Sequence, residues 1–120
     1  MILNNNLFTI INRNISDTKA EFRIKLNVEH FIYQAHFPDN PITPGVCLIQ
    51  MATELFGLVK DASFSLKTLK NVKFTAALSP LEFPEADFAL EFTPNEIGWH
   101  LKVLIKESET VFAKISMVLV

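Results

Sequence analysis

One segment of this chain is apolar around nearly its whole circumference when it is drawn as a helix, and it limits the folds available. It runs from Gly45 to about Lys60. A helix with hydrophobic residues on all sides is buried by the rest of its domain. Its apolar positions are Val46, Leu48, Ile49, Met51, Ala52, Leu55, Phe56, Leu58 and Val59. The remaining chain is therefore expected to surround this helix.

The rest of the chain is predicted to form strands separated by short turns. Alternating polar and apolar residues at 20–28 predict a half-buried strand, which pairs with a strand at 7–12 as a hairpin. Four further strands are predicted at 66–76, 86–92, 99–107 and 111–119. Strands that follow one another through short turns form antiparallel sheets. The sequence thus predicts one α+β domain over residues 1–120, with the sheet wrapped around the helix.

Composition excludes several classes of protein. The 120 residues are 49% hydrophobic and carry a net charge of -2, which gives no reason to expect a nucleic-acid or membrane-surface partner. No apolar stretch approaches the roughly 20 residues of a membrane span, and the first residues do not resemble a signal peptide. A cytoplasmic protein is expected. The single cysteine, Cys47, has no partner for an internal disulfide and is expected to be a buried, inert thiol.

The segment 30–44, which precedes the helix, carries the first candidate site. It contains three prolines and no sustained period, so it is predicted to be a loop packed on the domain. Its His36 titrates near neutrality and can act as an acid or a base. Thr43 can cap the helix, with Pro44 in the first turn. The first backbone N–H groups, at Gly45, then lack partners within the helix and can bind a carbonyl oxygen that gains charge.

Polar residues on the helix form a second candidate site. Gln50, Thr53, Glu54 and Gly57 follow the spacing of one helical stripe. Such a stripe on a buried helix lines a cleft, meets a neighbouring subunit or forms an internal network. From the residues alone, His36 and Gly45 also admit structural roles, as a packed histidine and a loop-to-helix junction. No metal-ligand cluster or glycine-rich phosphate loop is present, so neither a metal nor a nucleotide is expected.

Two motifs resemble a known family. His36-Phe37-Pro38, then Pro41 and Pro44-Gly45-Val46, are similar in type and spacing to a motif of the 3-hydroxyacyl-[acyl-carrier-protein] dehydratases of fatty-acid synthesis. Val72-Lys73-Phe74, followed by Pro80, resembles a sheet segment of the same family. The order of elements is similar over almost the whole chain. The resemblance implies a hotdog fold, in which a long antiparallel sheet wraps around a central helix.

The resemblance also implies the roles of individual residues. His36 takes the place of the catalytic histidine, and the backbone of Gly45 takes the place of the amide that binds the thioester carbonyl. Phe37, Pro44 and Val46 are expected to contact the substrate. The family forms homodimers, often assembled further, in which the histidine of one subunit faces a helix acid of the other. The substrate is carried on the phosphopantetheine of an acyl carrier protein, and no other cofactor is implied.

The chain departs from the family pattern on the helix. Gln50 stands where the family has glutamate, and Glu54 stands one turn later where the family has glutamine. Glutamine cannot deliver a proton to a departing hydroxyl, so altered or reduced dehydration is expected unless Glu54, about 6 Å along the helix, supplies it. Gln50 and Glu54 therefore join His36 as candidate catalytic residues. Ala35 and Asp39 also replace glycines that the family prefers.

Three functions remain open at this point. A dehydratase acting on acyl-carrier thioesters is favoured because His36 and Gly45 occur together at the family spacing. An acyl-thioester hydrolase would instead use Glu54 as a base or nucleophile. A subunit with little activity would bind acyl chains or pair with an active paralogue. Lys67, Lys70 and Lys73 form either a basic rim for the acidic carrier protein or an ordinary solvated strand face.

Overall fold

The computed structural model of the protein describes residues 2–35 and 38–120. Those residues form six strands and two helices, named here in chain order. The elements are β1 Phe8–Ile15, β2 Lys19–Leu26, α1 Phe31–Ala35, α2 Gly45–Lys60, β3 Leu66–Phe74, β4 Glu85–Pro94, β5 Trp99–Glu107 and β6 Thr110–Leu119. The long helix and every predicted strand are present, with bounds that differ by a few residues. Within the described ranges, neither helix has the length and apolar character needed to cross a bilayer.

The strands form one antiparallel sheet in the order β1-β2-β4-β5-β6-β3. The predicted N-terminal hairpin is confirmed, since Ile15 pairs with Ala20 at its closed end. β1 lies at one edge of the sheet and β3, which follows α2 in the chain, lies at the other. The chain therefore crosses from β2, next to one edge of the sheet, to β3 at the opposite edge, and α1 and α2 make this connection. This architecture is the α+β hotdog fold that the resemblance implies.

Helix α2 packs against one face of the sheet. Strand alternation sends every second residue to this face, and in β4 these include the buried Phe88 and Leu90. The ring centroid of Phe56, on the C-terminal half of α2, lies 5.2 Å from that of Phe92 and 5.6 Å from that of Trp99. Aromatic contacts of this kind add to the burial of their large apolar surfaces. The helix is thus held in a defined position on the sheet.

The edge strand β3 is exposed along nearly its whole length. One side pairs with β6, and its other side has no strand partner in the described part of the chain. Leu69 and Phe74 are large apolar residues that this strand leaves exposed. Lys67, Lys70 and Lys73 are exposed on it as well. An exposed edge strand with apolar side chains is a surface to which a further strand can add.

Two local predictions about the segment before α2 are wrong. Residues Phe31–Ala35 form a helix and not a loop. His30 starts this helix, because its Nδ1 accepts the backbone N–H two residues later at 3.1 Å and its carbonyl accepts the N–H of Tyr33. Thr43 does not cap α2. The N-cap is Pro44, with no side-chain cap hydrogen bond, since the Thr43 hydroxyl lies 2.8 Å from that of Tyr33.

Arg23 on β2 carries three ion pairs on the outer face of the sheet. Its Nε lies 3.0 Å from Glu85, its Nη1 3.0 Å from Asp87 and its Nη2 2.6 Å from Glu107. Hydrogen bonds from Arg23 lower the pKa of the Glu107 carboxyl. Hydrogen bonds to Glu107 and Asp87 raise the pKa of Arg23. One guanidinium therefore holds three carboxylates together, and without it they would repel one another.

We expect Arg23→Leu to lower the free energy of unfolding at pH 7 by about 1–2 kcal/mol, since it leaves three like charges side by side. The folded-state pKa of Glu107 is below its ordinary value of 4.5. Its contribution is therefore present above about pH 4.5 and is lost as the pH falls through the lower folded value. The difference in the free energy of unfolding between wild type and Arg23→Leu should therefore shrink as the pH falls below about 4.5. Urea unfolding at pH 7 and at acidic pH measures both effects.

Lys19→Met is the control for this experiment. Lys19 lies on the same strand, but its 3.4 Å pair with Glu91 is far more exposed than the Arg23 pairs. Exposed single pairs contribute at most about 1 kcal/mol. A loss for Arg23→Leu no larger than that for Lys19→Met, or a difference that does not narrow in acid, would show that the three pairs do not act together.

Candidate functional site

Helix α2 begins beside an open pocket. Gly45 is its first residue, and Pro44 precedes it in an extended conformation with φ -61 and ψ 145. The Pro44 carbonyl accepts the N–H groups of Cys47 and Leu48. Gly45 and Val46 are too close to the helix start for their N–H groups to have an acceptor within the helix. Val46 is 73% exposed. A cavity of about 430 Å³ lies at this helix start, with Pro44 and Gly45 in its lining. Two of the predicted binding residues, Pro44 and Gly45, therefore line this cavity.

The ring of Phe74 lies against Gly45. A Cβ built on Gly45 would be 2.5 Å from the Cζ atom of Phe74, much closer than two carbon atoms pack. Glycine thus allows this ring of β3 to approach the start of α2. Phe74 is half-exposed, so its ring borders both Gly45 and the open part of the cavity. It is a neighbour of the predicted carbonyl-binding amide.

A buried pair of hydroxyl groups anchors the segment ahead of α2. The Tyr33 and Thr43 hydroxyl oxygens are 2.8 Å apart, and both residues are buried. Burial raises the pKa of Tyr33 to about 12, so its phenol stays protonated at neutral pH. The pair joins α1 to the residue just before the N-cap of α2.

His36 and Phe37, predicted as catalytic and substrate-binding residues, lie outside the described residues.

Gln50 and Glu54, the two candidate catalytic residues on α2, are in contact. Nε2 of Gln50 donates a hydrogen bond to Oε2 of Glu54 at 2.9 Å. The Glu54 carboxylate also accepts the backbone N–H groups of Leu3 and Asn4 at 2.8–3.0 Å. Thr53 is buried, and its hydroxyl donates to the carbonyl four residues earlier. The polar stripe is therefore hydrogen-bonded within the chain at these positions.

A groove of about 520 Å³ runs along the stripe. Gln50, Glu54 and Gly57 line it from the helix, and Ile2 and Asn4 line it from the other side. Position 50 follows the first residue of α2 by five residues, or about 7.5 Å along the helix axis. Gln50 therefore lies about one and a half helical turns past Gly45, in the lining of the groove.

The other groups that could carry chemistry lie in surroundings that fit a structural role. Cys47 is buried, as predicted, and burial raises the pKa of its thiol. His100 has its Nε2 at 2.8 Å from the Ser116 hydroxyl. Over residues 2–35 and 38–120, no three His, Cys, Asp or Glu residues are grouped so that they could hold a metal ion. An open depression of about 790 Å³ lies on the outer face of the sheet, where Lys102 and Lys114 line it. It is remote from α2.

Sequence reasoning missed three contributors to this region. The Tyr33–Thr43 pair had a usable signal, because a buried tyrosine generally needs a partner for its hydroxyl. Phe74 belongs to the Val72-Lys73-Phe74 motif, but its contact with the start of α2 depends on the tertiary fold. Leu3 and Asn4 act through backbone N–H groups, which leave no trace in the residue types. Only the folded chain brings them to the helix.

Comparison with known proteins gives a family match. Residues 12–114 match the model of a protein family described as ApeI-like, ApeI dehydratase. The 3-hydroxyacyl-[acyl-carrier-protein] dehydratase FabZ of Latilactobacillus sakei subsp. sakei (strain 23K) is 30% identical over 99 residues. The aligned part covers 74% of this chain and 71% of that protein. The resemblance found in the His36 and Gly45 motifs is therefore supported over most of the chain.

Solved structures share the fold. A chain of "The Dehydratase Heterocomplex ApeI:P from Xenorhabdus doucetiae" superimposes with a TM-score of 0.72 at 20% identity, covering 92% of this chain and 96% of that chain. An uncharacterized protein from Erwinia carotovora subsp. atroseptica superimposes with a TM-score of 0.67 at 17% identity, covering 95% and 96%. At these identities the likeness concerns the fold, which agrees with the hotdog arrangement of α2 and the sheet.

Proposed function

This chain belongs to the ApeI-like dehydratase family, and on that basis we propose that it removes water from a 3-hydroxyacyl thioester in the cytoplasm. The substrate class is taken from the relative that is described as a 3-hydroxyacyl-[acyl-carrier-protein] dehydratase. The observation that carries the proposal is the open start of α2 at Gly45, with the Gln50 amide five residues along the same helix. The thioester would arrive on the phosphopantetheine arm of an acyl carrier protein.

The proposed reaction breaks a C–H bond and a C–O bond. His36 takes the proton from C2 as a general base. The electron pair then forms the C2–C3 double bond, while negative charge on the carbonyl oxygen is stabilised by the backbone N–H of Gly45. Gln50 holds the C3 hydroxyl by a hydrogen bond. This hydroxyl takes a proton from the protonated His36 and leaves as water, which returns His36 to its neutral form. Phe37, Pro44 and Val46 would contact the substrate around this centre.

The surroundings of Glu54 favour elimination over hydrolysis of the thioester. Both oxygens of its carboxylate already accept hydrogen bonds, from Leu3, Asn4 and Gln50. To attack a thioester or to activate a water, Glu54 would have to exchange some of these donors for the reacting groups. The proposed dehydration asks for no such exchange, because its base is His36.

We propose a homodimer that joins β3 of two copies. One side of this edge strand pairs with no other strand over residues 2–35 and 38–120, and Leu69 and Phe74 are exposed on it. Val46 and Leu58 are exposed on α2. A partner subunit would cover both side chains in the same assembly. The site would then combine His36 of one subunit with Gln50 of the other. Lys67, Lys70 and Lys73 would form a basic rim that attracts the acidic carrier protein.

The test is to incubate the protein with 3-hydroxyacyl-carrier-protein thioesters and follow two products. Mass spectrometry of the carrier should show the loss of one water, and a thiol reagent should detect no released thiol. Release of thiol without loss of water would contradict the proposal and indicate a hydrolase. Binding of the carrier without either product, across several chain lengths, would indicate an inactive subunit.

A further inference from the structure

The carboxylate of Glu54 binds two consecutive backbone N–H groups. Oε1 accepts from Leu3 at 3.0 Å and from Asn4 at 2.8 Å, while Oε2 accepts from Leu3 at 2.9 Å. Consecutive N–H groups that converge on one anion form a backbone nest, and hydrogen bonds to a charged acceptor are stronger than neutral ones. These contacts join parts of the chain about 50 positions apart. They therefore belong to the tertiary fold.

The nest lies in a compact turn at residues 2–7, called here the N-terminal segment. The Leu3 carbonyl accepts the N–H groups of Asn6 at 3.0 Å and Leu7 at 2.8 Å, and Asn5 has a φ of 66. The side chains of Leu3 and Leu7 are buried in the core. The family model begins at residue 12, after this segment. The nest thus belongs to an ordered turn that is anchored in the core, and it lies outside the residues that match the family model.

Glu54 also fixes the direction of the Gln50 amide. The two ends of a glutamine amide look nearly alike, and their assignment normally depends on the hydrogen-bond network. Here the neighbour is a carboxylate, which only accepts when ionised, so Gln50 must turn Nε2 toward it. The carbonyl oxygen of Gln50 is then at the other end of the amide. The contact with Glu54 therefore favours one orientation of the Gln50 amide.

We infer that Glu54 is a positioning residue, which fastens the N-terminal segment to α2 and holds the Gln50 amide in one orientation. The role for the reaction rests on the proposed function, since Gln50 is the group expected to hold the substrate hydroxyl. The segment also forms a wall of the groove through Ile2 and Asn4. Loosening it would change both the groove and the orientation of Gln50.

The experiment compares Glu54→Gln with Asp61→Asn by NMR. In Glu54→Gln the side chain keeps its size, but an N–H donor replaces one acceptor oxygen. We expect the amide protons of Leu3 and Asn4 to exchange with solvent about tenfold faster or more, since charge-assisted hydrogen bonds are lost. The side-chain amide signals of Gln50 should shift. Asp61 follows α2 and bonds none of these groups, so Asp61→Asn should leave exchange and signals as in wild type.

Turnover separates positioning from direct chemistry. If Glu54 only positions Gln50, we expect Glu54→Gln to lower kcat about tenfold together with the faster exchange. Lost turnover with unchanged Leu3 and Asn4 exchange would overturn the inference and make Glu54 a catalytic acid. Faster exchange in a protein that never turns over would uphold the fastening and refute the proposed function. If Glu54→Gln fails to fold, the wild type provides the test by itself. Rapid exchange of its Leu3 and Asn4 amide protons with solvent would overturn the inference.

Discussion

Replacing His36 by alanine should lower kcat/KM for dehydration by about 10²–10⁴-fold. The imidazole is the proposed base that removes the C2 proton, and positioned general bases typically contribute rate factors of this size. The measurement is the rate of enoyl thioester formation with a fixed carrier substrate. His100→Gln is the matched control, because His100 contacts Ser116 on the sheet and should leave the rate unchanged.

Mixing two inactive variants tests whether the site is shared between subunits. His36→Ala and Gln50→Ala each damage every site of their own homodimer. In a mixed dimer one of the two sites would keep both native residues, so random exchange should restore about a quarter of the sites. If His36→Ala forms the enoyl thioester as fast as wild type, His36 is not the base that removes the C2 proton. Absence of any recovery after subunit exchange would contradict a site built from both copies.

Exchanging the two helix residues, with Gln50→Glu and Glu54→Gln in one protein, should raise the dehydration rate about 10–100-fold. The change places a carboxylic acid where the resembling family has it, and an acid can deliver a proton that an amide cannot. The glutamine introduced at position 54 could still donate a hydrogen bond to the new carboxylate at position 50 and accept one from the N-terminal segment. The comparison is kcat for wild type and double variant with the same substrate.

Gln50→Glu alone is the control for that exchange. It would place two carboxylates at the 2.9 Å contact now made by Gln50 and Glu54. Without the hydrogen bond, and with like charges adjacent, we expect the free energy of unfolding to fall by about 1–2 kcal/mol. If the double variant folds normally and turns over no faster than wild type, the departing hydroxyl receives its proton without help from position 50.

The main elements of the fold could be predicted because their signals are local. Alternation at 20–28 places Phe22 and Ile24 in the core, and the nearly uniform apolar character of α2 indicates its burial. Helix α1 had no such signal. It begins at Phe31, directly after His30, whose ring accepts a backbone N–H in the way that a serine or aspartate side chain usually does. A rule based on the common capping residues therefore predicts a loop there.

The site was less predictable than the fold. The residue types of Gln50 and Glu54 indicated a polar stripe, and their spacing indicated that they could meet. Their partners could not be read in the same way. The N–H groups of Leu3 and Asn4 lie about 50 positions from Glu54 in the chain, so only the tertiary fold brings them together. The Thr43 hydroxyl was likewise assigned to the nearest helix end, whereas the buried Tyr33 binds it.

The closeness of Phe74 to Gly45 has a consequence for the side chains that position 45 can accept. A Cβ at this position would lie 2.5 Å from the Cζ atom of the Phe74 ring, so even alanine would force the ring or the helix start to move. Because Phe74 belongs to β3, the strand on which the proposed homodimer depends, the same substitution would disturb that contact as well. Glycine at position 45 therefore connects the start of α2 to the edge of the sheet.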